Sequence, residues 1–209
     1  MTRKSLGWPI IAAAIVAIEI LCFTSPALAA PPKVTDAKAG FSFNLPKSWQ
    51  QIPLTGADVS GLIGLATKSD PSLKGVLTND VALATKQGLD VFALGPITNG
   101  VAANINVIND SASGLPSGKL YLDEMGFQVK LVLVKGGMRN VATSTVNLPF
   151  GKQVQATYNL PTKLASQGAT GLQLYVKRKS HLIIFTITGA SLSIVKSAAH
   201  VIENSWHWQ

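Results

Sequence analysis

The side chains of this chain that could do chemistry are few and poorly grouped. Histidine occurs three times, at His181, His200 and His207. His200, Glu203 and His207 are spaced three and then four apart, which on one helix would set them roughly along one side. A helical histidine pair that binds zinc stands at i and i+4 with a third ligand nearby. Here the two histidines are seven apart, so a polar helix face accounts for them and no metal ligand is assigned. Gly189-Ala190-Ser191-Leu192-Ser193 approaches G-x-S-x-G but lacks its last glycine. It also opens a helical pattern, where Ser191 reads as an N-cap. Asp123-Glu124 is the only adjacent carboxylate pair. It falls on the polar side of a helix, whereas glycoside hydrolysis needs two carboxylates facing across a cleft. The stretch Gly61 to Gly64 is too short for a phosphate loop and lacks the lysine context. The reading assigns no catalytic, cofactor-binding or metal residues, and expects a non-enzyme.

Thiol chemistry is excluded on different grounds. The chain has one cysteine, Cys22. It lies in an N-terminal segment with the three zones of a secretory signal: Arg3 and Lys4, an apolar run from Ile10 to Phe23, and Ala27-Leu28-Ala29. Residues 1–29 are therefore expected to be a signal peptide, cut near Ala29. Spanning a membrane takes about 20 apolar residues. Gly7 to Phe23 is about that long, but Pro9 and Glu19 weaken it and the cleavage pattern follows directly, so no retained transmembrane helix is expected. Leu21 before Cys22 is a poor context for lipidation. The exported domain would then hold no cysteine and form no disulfide, and about 180 residues bury enough core to do without one.

The formal net charge is +8, and removing Arg3, Lys4 and Glu19 with the leader leaves +7. A basic exported protein is drawn to anionic lipids, wall polymers or nucleic acid. Most basic residues are scattered singly. The one tight group, Lys177-Arg178-Lys179, is placed at a hairpin tip where charge is usually solvated, and no interleaved aromatics argue for nucleic acid. Trp49 and Trp206 read as core anchors. Trp208, close to the C-terminus, reads as an exposed residue open to a partner.

These residues must be positioned by alternating and helical patterns after residue 40. Residues 30–40, with Pro31 and Pro32, read as a short tether, and 41–209 as a single domain. Phe41 to Leu45 alternates as a strand with one buried face, and Trp49 to Ile52 as a short second one. Asp70-Pro71 opens a helix that reaches Gly88, or two short ones, weakened by Gly75, Thr78 and Asn79. Strands follow at 89–94 and 101–108, with turn chemistry at Gly95-Pro96 and Asn99-Gly100. Ser117 opens a long helix that stops at Gly136-Gly137. Leu120, Phe127, Leu131 and Val134 mark the stripe expected to cover the sheet. Strands at about 140–148 and 152–160 come next, the second with Val154, Ala156, Tyr158 and Leu160 facing one way. Leu172, Leu174 and Val176 alternate with Gln173, Tyr175 and Lys177. Leu182 to Thr188 is almost continuously apolar, as in a central strand covered on both faces. A helix from about Ser191 buries Leu192, Val195, Ala199, Ile202 and Trp206. Short turns between strands imply antiparallel pairing. The fold class is α+β: an α/β/α sandwich with a mainly antiparallel twisted sheet flanked by helices.

Phe41-Ser-Phe-Asn-Leu-Pro-Lys-Ser-Trp49 resembles the F-x-F-x-x-P-x-x-W start of PsbP-like domains. Val101-Ala-Ala-Asn-Ile-Asn-Val-Ile108 resembles their Asn-rich second signature, and the closing hairpin and helix with Trp206 fit as well. Among bacterial members the pattern is most similar to the LpqN/LpqT-type secreted proteins and lipoproteins of mycobacteria and their relatives, over residues 41–208. The resemblance implies an exported binding or assembly factor with no shared catalytic residues. The absence of a good lipobox departs from the lipoproteins. The expected function is that of a secreted, non-enzymatic binding or cell-envelope interaction protein without cofactors. Its partner would be an envelope protein, a lipid or an anionic wall polymer. Two alternatives stand beside it: a small exported hydrolase or metal-dependent enzyme using His200, Glu203 or the serines near Ser191, and a lipid carrier, which needs an apolar cavity between sheet and helix.

Overall fold

The computed structural model describes residues 31–52, 89–162 and 168–209. The leader at 1–29 and the helix expected from Asp70 to Gly88 lie outside them. The described elements are β1 (Lys33–Asp36), β2 (Phe41–Asn44), β3 (Gln50–Ile52), β4 (Leu89–Thr98), β5 (Val101–Ser111), α1 (Gly118–Lys135), β6 (Arg139–Leu148), β7 (Gly151–Asn159), β8 (Thr170–Arg178), β9 (His181–Gly189), α2 (Leu192–Ser205) and β10 (His207–Trp208). Seven strands form one antiparallel sheet in the order β3-β4-β5-β9-β8-β7-β6. The apolar strand β9 is its middle member, as its unbroken hydrophobic run requires.

Period-two alternation sends the side chains to two cores. Ile105, Val107, Leu172, Leu174, Ile183, Phe185 and Ile187 meet Val195, Ala198, Ala199 and Ile202 of α2. Val154, Ala156, Tyr158, Leu182 and Ile184 meet Tyr121, Met125, Val129 and Leu133 of α1. The layers are thus α1, the sheet, and α2 with a second small sheet, which is the α+β sandwich that the strand and helix periods require.

The small sheet corrects the tether reading of residues 30–40. Lys33–Asp36 pairs with β2, and the side chain of Val34 is fully buried. β10 pairs on the other side of β2. Flanked by two strands and set on the main core, β2 is covered on both faces, Ser42 included. Gly95-Pro96 is not a turn. β4 runs through it with a register shift between Leu94 and Ile97, and a bulge is where a sheet admits proline. The turn falls only at Asn99-Gly100, both at positive φ, the two-residue hairpin form.

α1 differs most from its expected packing. Its ends are as expected, with Ser117 at the N-cap and Gly136 and Gly137 closing it, Gly137 at φ 84°. Its buried residues, however, are Tyr121, Met125, Val129 and Leu133. Leu120, Phe127, Leu131 and Val134 face outward. Both sets have helical spacing, and the unbroken i, i+4 row is the one that lies on the sheet. α2 ends at Ser205, so Trp206 and His207 leave the helix. Leu192 is exposed rather than buried.

Candidate functional site

The residues singled out for metal or hydrolytic chemistry are not assembled. His200 is exposed on α2, where its ring nitrogen meets the side-chain amide of Asn204 at 3.0 Å. His207 sits on β10 opposite Ser42. Glu203 accepts from Gln155 of β7 at 3.4 Å, and desolvation raises its pKa despite the opposing pull of His200. His181 pairs with the Asn109 side chain at 3.0 Å. Among the described residues, no three His, Cys, Asp or Glu side chains could jointly hold a metal ion. The Ser191 hydroxyl accepts from the Ile194 amide, the N-cap expected of it. Asp123 and Glu124 are exposed on α1.

One carboxylate pair was invisible in the sequence. Asp36 of β1 and Asp90 of β4 lie near enough that burial, then the Asp36 charge, raises the Asp90 pKa while Lys38 lowers it. Each already accepts a backbone N–H: Asp36 from Ala39 at 2.9 Å, and Asp90 from Asn109 at 3.1 Å. These bonds tie the small sheet and the β4–β5 pair into place. The tryptophans are likewise structural. Trp49 lies against Gly95, where a Cβ would come within 2.5 Å of the indole. Trp206 stacks on Phe41 at 4.7 Å and meets Phe185 edge-on at 4.9 Å. Trp208 is not the exposed residue expected. It packs edge-on against Trp206 at 5.1 Å and Phe150 at 5.6 Å, and Arg178 lies 4.5 Å from its ring centroid.

The basic triplet therefore does more than sit in solvent. Arg178 covers Trp208, Lys179 makes the β8–β9 turn at φ 50°, and Lys177 points to the other face. There the Lys177 ammonium donates to Leu115 O at 3.3 Å, Pro116 O at 2.6 Å and Ser117 Oγ at 3.1 Å. It also lies 5.2 Å from the centroid of the Tyr121 ring. Gln153 accepts from the Lys177 backbone N–H at 3.0 Å, holding this end of β8 against β7. Lys177 thus moors the sheet to the start of α1.

Around that mooring lies an open cleft of about 740 Å³. Ser117, Gly118, Lys119, Tyr121, Leu122 and Asp123 line it from α1, Thr145 from β6, Lys152 and Gln153 from β7, and Lys177 and Lys179 from the β8–β9 hairpin. Four lysines face one aspartate there. The first amides of a helix attract negative charge. This helix has no acid in its first turn, and its N-cap serine makes no side-chain cap bond. Ser117 gives its oxygen to Lys177 instead. Gly118 holds φ 65° with no atom within 4 Å of where a Cβ would stand, so the backbone is open to the cleft. A helix start with no acid in its first turn, in a cleft where four lysines outnumber one aspartate, is suited chemically to hold an anion.

Sequence patterns showed the basic triplet at 177–179 and the helix start at Ser117, but not that they meet. The lining comes from four elements, and of its four lysines only Lys177 and Lys179 are close in sequence. A second polar region, buried within the sheet, was equally hidden. Tyr175 donates to Gln173 at 2.5 Å, and Gln173 donates to Thr186 at 3.2 Å. Asn106 stands opposite Thr186, and Asn104 opposite Thr188, on the same sheet face.

No protein-family model and no curated protein matches the chain. Solved structures similar to it include the solution structure of the cyanobacterial PsbP protein CyanoP from Synechocystis sp. PCC 6803. That match has 15% identity and a TM-score of 0.49, covering 91% of this chain and 99% of the other. The chain is also similar to LpqN, described as involved in cell envelope biogenesis of Mycobacterium tuberculosis. There the identity is 8% and the TM-score 0.47, with 85% of this chain and 84% of the other covered.

Proposed function

We propose that this chain is an exported, non-catalytic binding protein that holds an anionic envelope component, bearing phosphate or carboxylate groups, in the lysine-lined cleft at the start of α1. One observation carries the reading: four lysines and an uncapped helix start converge on one open cleft. Export follows from the leader pattern at residues 1–29. The charge does two jobs. It attracts a polyanion from a distance, and the helix amides and ammonium groups then hold it at short range. Lys177, engaged with three oxygens of the α1 approach, keeps the cleft's shape. Lys119, Lys152 and Lys179 supply the charge free to meet a ligand.

Titration of the chain from Ala30 onward with a glycerol-phosphate oligomer, followed by NMR, tests this. The α1 first-turn amides are expected to shift in a saturable way. Lys119→Ala, Lys152→Ala and Lys179→Ala combined should weaken binding about tenfold or more, at roughly 0.5 kcal/mol for each partly solvated contact. Unmoved amides at the helix start, or equal binding by the triple variant, would refute the cleft as the site.

A further inference from the structure

α1 is apolar on two opposite sides. One side lies on the sheet. On the other, Leu120, Phe127, Leu131 and Val134 are 64%, 66%, 38% and 53% exposed. Their spacing of seven, four and three sets them in one line, about 21 Å long at 1.5 Å per residue. Scattered surface hydrophobics are ordinary, but an aligned row on one helix marks a surface meant to be covered. The charge beside the row says by what. Lys119, Lys130 and Lys135 are exposed on the same helix, and the lysine cleft opens at its first turn. Asp123 and Glu124 oppose them, two acids against the lysines of helix and cleft. Among the described residues no helix is long and apolar enough to cross a membrane.

We infer that the outer face of α1 docks on the surface of a bilayer containing anionic lipid. The helix lies in the interface plane. Leu120, Phe127, Leu131 and Val134 enter the headgroup–acyl boundary, and the flanking lysines lie at the level of the lipid phosphates. This is the arrangement of interfacial amphipathic helices, in which apolar burial and attraction to anionic headgroups act together. It draws on the cleft's charge but not on the identity of the cleft's ligand.

The experiment is sedimentation of the chain from Ala30 onward, which holds every described element, with sucrose-loaded vesicles. One set is pure phosphatidylcholine; the other contains phosphatidylglycerol. The protein should bind the anionic vesicles, and salt should weaken the binding. Phe127→Glu with Leu131→Gln changes only outward side chains and should keep the circular dichroism and thermal midpoint. It should lower vesicle binding about tenfold or more. The same variant should still bind the soluble glycerol-phosphate oligomer, which separates failure of this inference from failure of the cleft reading. Vesicle binding that survives the double substitution would overturn the inference, as would none by the unaltered protein. A lipid-free dimer that the substitution dissolves would overturn it too, assigning the face to a second copy of the chain.

Discussion

The three tyrosines of the chain all stand between α1 and the sheet. Tyr121 comes from the helix, Tyr158 from β7 and Tyr175 from β8, and all are buried. Desolvation pushes each hydroxyl pKa well above its ordinary value; for Tyr175 the charges that Tyr158 and Tyr121 would carry add to it. A tyrosine in an unfolded chain ionises near pH 10. The folded form therefore holds its protons longer than the unfolded form. The stability linked to these groups is complete below about pH 10 and is lost as the pH rises beyond it. Alkaline titration followed at 295 nm should show almost no tyrosinate at about pH 10, where a free tyrosine is half ionised. The three should then appear together, coincident with loss of the circular dichroism signal. A gradual rise in a protein that stays folded would contradict the burial of this cluster. Among the described residues the Tyr121 and Tyr158 hydroxyls have no hydrogen-bond partner, which sharpens the penalty for charging them.

Between elements, the joint of β7 and β8 depends on one small residue. Tyr158 stands directly opposite Gly171, and its ring lies across the space where a Cβ of residue 171 would be. Gly171→Ala should therefore force the Tyr158 ring off its site and destabilise the protein by about 1–3 kcal/mol, read from the denaturation midpoint. A neutral substitution would mean that the ring is not seated there. Periodicity had shown that both strands exist and which way Val154, Ala156 and Tyr158 face. It had also shown the caps of α1 and the central place of β9, because each follows from a local spacing or a run length. The buried side of α1 was not legible. Leu120, Phe127, Leu131 and Val134 and the set Tyr121, Met125, Val129 and Leu133 fit the helical period equally, and only the sheet distinguishes them. The cleft was not legible for a related reason. Lys152 gains its meaning only when β7 lies beside β8, and the start of α1 only when Lys177 reaches it.

For the molecule as a whole, the two ends of the domain close on each other, and this decides where it can be trimmed. β1 and β10 flank β2. The Gln209 amide donates to Gly40 O at 2.8 Å, and Leu45 N to Pro32 O at 2.8 Å. One valine in a polar, proline-led stretch carries no period, so Val34 gave no sign of being core. Yet it is fully buried in the cluster that holds Phe41, Phe43 and Trp206. A chain beginning at Phe41 would leave that apolar surface bare and one edge of β2 unpaired. Burying a valine side chain stabilises by about 1.5–3 kcal/mol, and exposed flanks of Phe43 add to the loss. The chain starting at Phe41 should therefore unfold at least about 2 kcal/mol more easily than the one starting at Ala30, in urea, with both otherwise identical. The leader segment is absent from both, so the difference isolates residues 30–40. Equal midpoints would show that β1 is dispensable and return those residues to a tether. A loss of this size would place the start of the folded unit only a few residues beyond the expected cleavage site.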